Sequence, residues 1–203
     1  GSSEGVTVNL AAGTGTGGDA QGDTISNIED VIGSDHDDVI TGSDADNKIT
    51  GGAGADSIDG GAGEDSVFFD YSDEGVGVNL ATGKGTGGDA EGDTYANIEN
   101  VYGSIVADTL TGDDAQNTLS GGGGNDILTG NAGDDTLSGG SGLDIATYAG
   151  YSWDYGVSFD AATDEWVVTD ENTADGDDGT DTLSGVEFAD FTDQTLTLDN
   201  APA

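Results

Sequence analysis

Nine side chains in this chain recur at a spacing that could hold a hard cation. Asp38, Asn47, Asp56 and Asp65 follow one another at nine-residue intervals, and Asp108, Asn117, Asp126, Asp135 and Asp144 do the same. Each closes a six-residue segment that opens with glycine: GSDHDD, GSDADN, GGAGAD and GGAGED, then GSIVAD, GDDAQN, GGGGND, GNAGDD and GGSGLD. Glycines at the first, second and fourth places can take left-handed backbone angles that other residues reach only at a cost of ~1–2 kcal/mol. Such a turn directs its carbonyl oxygens inward, and the sixth residue adds a side-chain oxygen. Gly52, Gly54, Gly61, Gly63, Gly122, Gly124, Gly133, Gly140 and Gly142 therefore join the nine as candidate metal-site residues. Calcium takes roughly six to eight oxygens in adaptable geometry, whereas magnesium demands a tighter octahedron. Zinc prefers thiolate or imidazole, and the chain has no cysteine and one histidine, His36. The expected cofactor is several Ca²⁺ ions.

These turns must be held in place by the strands between them. Every nonapeptide ends in a short strand with an apolar eighth residue: Ile40, Ile49, Ile58, Val67, Leu110, Leu119, Leu128, Leu137 and the small Ala146. One row cannot close around a core, but two rows can, each placing a strand in one of two facing sheets. Rows two apart then stack at ~4.8 Å. This register predicts metal between Asp38 and Asp56, Asn47 and Asp65, Asp108 and Asp126, Asn117 and Asp135, and Asp126 and Asp144. The first two rows of each run lack the fourth-place glycine, and Asn47 and Asn117 replace an acid, so the Asp126–Asp144 site is expected to be the best.

A longer repeat lies above the nonapeptide. Residues 5–34 align without gaps to residues 75–104, with 22 of 30 positions identical. Each unit is a leader followed by a glycine–aspartate run, so the domain reading is 5–74, 75–147 and a capping segment 148–203, with residues 1–4 set apart as a cloning remnant and linker. A third, degenerate leader spans 156–191. Alternating Val76, Val78 and Leu80 predict a strand, and Gly83, Gly85, Gly87 and Gly88 a turn, giving a hairpin or an irregular coil. Among the leader acids, Asp23 and Asp93 are favoured as further metal ligands because both sit in GDT turns. Tyr148, Tyr151, Trp153, Tyr155 and Trp166 read as a hydrophobic cap, with a carbohydrate-stacking platform as the alternative.

Composition narrows the rest. Forty-two acids face two lysines and no arginine, a formal charge of −40. Phosphate binding needs a basic face, so nucleic acid is disfavoured, and anionic membranes with it. No apolar run approaches the ~20 residues of a membrane span. No nucleophile–base pair is present, and His36, alone in a turn, reads as solvated, so an enzyme is not expected. Low hydropathy with high charge would signify disorder were the apolar residues not so regularly placed.

The rows resemble the GGxGxDxUx repeats of the RTX, or hemolysin-type, calcium-binding family. That resemblance implies an all-β fold: a right-handed parallel β-roll solenoid in two repeat blocks, with irregular β leaders and a C-terminal β cap. It also implies calcium between successive turns, type I secretion from a bacterium, and an extracellular or cell-surface location. The expected function is a monomeric calcium-binding module that folds on binding Ca²⁺ after secretion and serves as a structural or spacer part of a larger protein. The alternative is a module that binds a polysaccharide or cell-surface component.

Overall fold

An apolar eighth residue flanked by polar neighbours makes a strand with one buried face, and the glycine turns reverse the chain between strands. The computed structural model describes residues 1–173 and 178–198. The first leader forms the antiparallel hairpin β1 (Thr7–Asn9) and β2 (Thr14–Thr16), a one-turn 3₁₀ helix (Gly18–Ala20), and β3 (Asp30–Ile32). The first run supplies β4 (Val39–Ser43), β5 (Lys48–Thr50), β6 (Ser57–Gly61) and β7 (Ser66–Phe68). The second leader supplies β8 (Gly77–Asn79), β9 (Lys84–Thr86), a 3₁₀ turn (Gly88–Ala90), β10 (Thr94–Ala96) and β11 (Asn100–Tyr102). The second run supplies β12 (Thr109–Thr111), β13 (Thr118–Gly123), β14 (Ile127–Thr129), β15 (Thr136–Ser141) and β16 (Ile145–Thr147). After it come a 3₁₀ turn (Ser152–Asp154), β17 (Tyr155–Asp160), β18 (Glu165–Asp170), β19 (Thr180–Ser184), β20 (Phe188–Asp190) and β21 (Thr195–Thr197).

Successive rows alternate between two sheets, so rows two apart pair in parallel, as in β4–β6, β5–β7, β12–β14, β13–β15 and β14–β16. The fold is the all-β roll expected from the repeats. One sheet has twelve strands in the order β2-β1-β4-β6-β10-β9-β8-β12-β14-β16-β20-β21. The other has nine, β17-β18-β19-β15-β13-β11-β7-β5-β3. The eighth-place residues stack into ladders that form the core. On the nine-stranded side Val31, Ile49, Val67, Val101, Leu119, Leu137 and Leu183 lie in register and are buried.

Three members of that ladder, Val31, Val101 and Leu183, come from leaders, which are therefore rungs of the roll. The second leader bridges the two runs: β10 pairs with β6, β11 lies between β7 and β13, and β8 pairs with β12. The turn around Gly83 resolves as the β8–β9 hairpin. The second and fourth glycines are left-handed as expected, but no first-place glycine is. The first place needs glycine for space, because a Cβ on Gly51 would collide with Oδ2 of Asp56, and one on Gly121 with Oδ2 of Asp126.

At the C-terminal end the hairpins β17–β18 and β20–β21 turn both sheets antiparallel and end the stack. Tyr148, Tyr155 and Phe191 pack together there with ring centroids 5.0–5.2 Å apart. Trp166 packs on Phe159. Tyr151 and Trp153 do not join the cap; they stack on each other at 4.5 Å and remain exposed. Residues 199–203 of the segment expected to cap the roll, and 174–177 within it, lie outside the described residues.

Candidate metal centre

The turns that end at Asp56, Asp65, Asp126, Asp135 and Asp144 share one construction. Their second and fourth residues are left-handed: Gly52 at φ 100° and Gly54 at 131°, Gly61 at 106° and Gly63 at 121°, Gly122 at 93° and Gly124 at 111°, Gly140 at 96° and Gly142 at 150°. In GNAGDD, Asn131 takes the second place at φ 70° and Gly133 the fourth at 116°. Turns two rows apart lie so close that a Cβ on Gly52 would strike the carbonyl oxygen of Ser34, one on Gly122 that of Ser104, and one on Gly140 that of Gly122. The interior of each turn is thus lined by carbonyl oxygens of its stacked neighbour.

The sixth-place carboxylates divide their two oxygens. Oδ1 accepts the backbone N–H of the sixth residue eighteen positions earlier: Asp38 to Asp56 (2.8 Å), Asn47 to Asp65 (2.7 Å), Asp108 to Asp126 (2.8 Å), Asn117 to Asp135 (2.7 Å) and Asp126 to Asp144 (2.8 Å). The five pairs named from the nonapeptide register are therefore stacked neighbours. Oδ2 of Asp56, Asp65, Asp126, Asp135 and Asp144 is buried and has no hydrogen-bond partner. A buried, unpartnered carboxylate oxygen is costly, and a cation placed beside the five would offset that cost.

The first two rows of each run are built differently. Their second residue is serine or aspartate, and its N–H donates to the sixth side chain: Ser34 to Asp38 Oδ2 (2.5 Å), Ser43 to Asn47 Oδ1 (2.7 Å), Ser104 to Asp108 Oδ2 (2.5 Å) and Asp113 to Asn117 Oδ1 (2.7 Å). The other oxygen of Asp38 accepts the Val6 N–H at 2.7 Å, and that of Asp108 the Val76 N–H at 2.7 Å. The amides of Asn47 and Asn117 donate to the carbonyls of Glu29 and Glu99. These four side chains are buried yet satisfied by protein. Their turns are closed, while the other five are open.

The leaders extend the acid ladder. Asp93 accepts the Asp56 N–H at 2.8 Å, and its second oxygen accepts the Tyr95 hydroxyl at 2.9 Å. Glu99 accepts the Asp65 N–H, and Glu187 the Asp144 N–H, each at 2.8 Å. Asp23, singled out with Asp93, is exposed and its carboxylate makes no hydrogen bond among the described residues. Asp181 went unrecognised in the nonapeptide reading. It accepts the Asp135 N–H at 3.0 Å, and its buried Oδ2 lies beside the Tyr148 hydroxyl, so Asp181 stacks on the open carboxylate of Asp135 much as Asp93, with Tyr95, stacks on that of Asp56. The signal was present: GDDGTDTLS (176–184) carries glycine at the first and fourth places, acid at the sixth and leucine at the eighth.

Burial dominates the electrostatics. It pushes Asp56 up to about 7, with Asp93 and Asp38 adding repulsion. It pushes Asp126 and Asp135 to about 6, and Asp181 to about 8 beside Asp135. Among the described residues no three carboxylate or imidazole groups converge. A cation here would therefore draw most of its shell from main-chain carbonyls, an all-oxygen set that suits Ca²⁺. The residues fit that ion: open carboxylate oxygens, carbonyl-lined turns, and no space for a Cβ at the first glycine.

Comparison with known proteins agrees with this chemistry. No curated protein matches the chain. The family model of the RTX calcium-binding nonapeptide repeat (4 copies) matches residues 32–67 and residues 111–146, which take in all five open turns of the nonapeptide runs. Over those two segments the chain is similar to RTX calcium-binding nonapeptide repeats.

Proposed function

We propose that the chain is a calcium-operated structural module of a larger secreted protein, one that folds as its turns bind Ca²⁺ after export by a type I system. The observation that carries this reading is the repeated Oδ2, buried and unpartnered at Asp56, Asp65, Asp126, Asp135 and Asp144. Calcium, when bound, supplies the positive charge that these stacked carboxylates lack. The chain's own residues do the rest. Glycines 52, 54, 61, 63, 122, 124, 133, 140 and 142 bring turns close enough for carbonyls to share one space. The Oδ1 bonds hold each carboxylate in one orientation, and the ladder from Val31 to Leu183 keeps the turns in register.

A net charge of −40 opposes collapse where calcium is scarce. Extracellular modules commonly bind at ~10⁻⁴–10⁻³ M, and binding becomes folding energy because the sites do not exist in the unfolded chain. The test is far-UV circular dichroism in EDTA, then with Ca²⁺, with Mg²⁺ as control. A coil spectrum that turns to β only in millimolar calcium supports the reading. A β spectrum in EDTA that calcium does not change rejects it.

A second reading rests on the Tyr151–Trp153 stack, which is exposed and leaves one indole face open. Aromatic faces of that kind suit sugar rings. A glycan pull-down that Trp153→Ala abolishes, with the calcium titration unchanged, would assign a polysaccharide-binding role to this end of the roll. Capture unchanged by Trp153→Ala would reject it.

A further inference from the structure

The two leaders are nearly the same sequence in different surroundings. Their likeness extends to Ser2 and Glu4. The Ser2 hydroxyl donates to the Glu4 carbonyl at 2.7 Å and accepts the Asp19 N–H at 3.0 Å; the Ser72 hydroxyl does the same with Glu74 (2.7 Å) and Asp89 (3.1 Å). The difference lies on the side that faces the preceding row. In the second leader that side is filled by the last two rows of the first run. The Asp56 N–H donates to Asp93 and the Asp65 N–H to Glu99, while the Thr94 N–H donates to the Asp56 carbonyl and the Asn100 N–H to the Asp65 carbonyl. Ile98 is 4 % exposed there, and Tyr102 stacks on Phe68 at 4.5 Å.

In the first leader the matching groups face outward. Asp23 and Glu29 are exposed, Ile28 is 48 % exposed and Ile32 70 %. β3 is the free edge of the nine-stranded sheet. An open parallel edge with exposed apolar residues is a pairing template. We infer that this face is an acceptor seat for the last two rows of another nonapeptide run joined on its N-terminal side. Asp23 and Glu29 would take that run's sixth-place N–H groups, as Asp93 and Glu99 take those of Asp56 and Asp65. The occupant is not the far end of a second copy, because among the described residues the antiparallel hairpins β17–β18 and β20–β21 leave no free parallel row at that end.

The seat can be tested by inserting a second copy of residues 5–74 after Glu74, so that a copy of the first leader follows a complete run. The chain has no cysteine, so Ile28→Cys reports accessibility through its rate of maleimide labelling in saturating Ca²⁺. Ile98→Cys in the unextended chain serves as the buried reference and shows that the roll has folded. The Ile28→Cys thiol of the inserted copy should label at least tenfold more slowly than Ile28→Cys in the unextended chain. Adding Asp23→Ala and Glu29→Ala to the inserted copy should restore fast labelling. Equal rates in the extended and unextended chains, with the Ile98→Cys reference protected, would overturn the inference while leaving the calcium reading intact. Labelling in the unextended chain that slows as protein concentration rises would give the seat to a second copy and overturn it as well.

Discussion

The first turn of each run and the turns from the third onward carry the same sixth-place aspartate at the same depth, with asparagine in the second turn, yet only the later ones leave an oxygen unpartnered. Within the two runs the deciding residue is the second. Where it is glycine or left-handed Asn131, the backbone opens and the sixth carboxylate keeps Oδ2 free. Where it is Ser34, Ser43, Ser104 or Asp113, its N–H reaches back and occupies the oxygen. A hydrogen bond from the turn's own backbone thus takes the position a cation would take in the open turns. Burial alone does not make an acid a ligand.

That contrast can be broken most severely at Asp126, whose open oxygen lies between Asp108 and Asp144. Asp126→Ala should raise the calcium midpoint on the order of tenfold, ~1.4 kcal/mol, as read by circular dichroism, and Asn47→Ala should raise it far less. Equal shifts would mean that open and closed turns bind alike. Next in size, Gly122→Ala forces a left-handed φ of 93° on a Cβ aimed at the Ser104 carbonyl. The backbone strain alone is ~1–2 kcal/mol, so urea melts in calcium should show at least that loss. Ser104→Ala, at a closed turn, should lose only hydroxyl bonds worth ~1 kcal/mol.

Acidity should act oppositely with and without calcium. Asp56, Asp126, Asp135 and Asp181 are held at about 7, 6, 6 and 8 in the folded chain, above the ordinary value of 3.8. The folded state then binds more protons than the unfolded one, and stability falls as pH rises through that window. In EDTA, acidification from pH 8 toward 5 should therefore increase β structure. In calcium the same change should weaken binding, because protons compete for the same oxygens. Calorimetry at the two pH values checks the second half. The smallest effect is the sharpest: Ser104→Gly with Val106→Gly should open the Asp108 turn and add one bound Ca²⁺ by titration calorimetry. An unchanged stoichiometry would mean that the second residue does not govern closure.

Much of this is legible in the order of the residues. The nine-residue spacing of Ile40 through Ala146 identifies the core ladder and the alternation of rows between sheets, because a strand with one apolar residue has one way to bury it. The same spacing names the stacked pairs Asp38–Asp56 through Asp126–Asp144. Three features are not legible there. The first-place glycines look conformational but are steric, since only the packed turn shows Oδ2 of Asp56 against Gly51. Asp181 lies in a row whose second residue is aspartate and whose surroundings have drifted. Tyr95, in the eighth place of its leader row, gives no sign in sequence that its hydroxyl will take the free oxygen of Asp93.

By itself the sequence determined the period, and with it the two-row turn, the buried ladder and the kind of ion an all-oxygen turn can hold. These arise from local chemistry repeated at a constant interval. Only the tertiary structure decided which acids keep an oxygen free and which face of a leader is filled. The first depends on whether the N–H of the second residue, four positions back in the same turn, folds onto the carboxylate. The second depends on groups 34 and 37 residues away along the chain and one strand away in space. Asp23 and Asp93 occupy the same place in the same GDT turn; one is exposed and the other is buried against the Asp56 N–H, because only the second has a row beneath it.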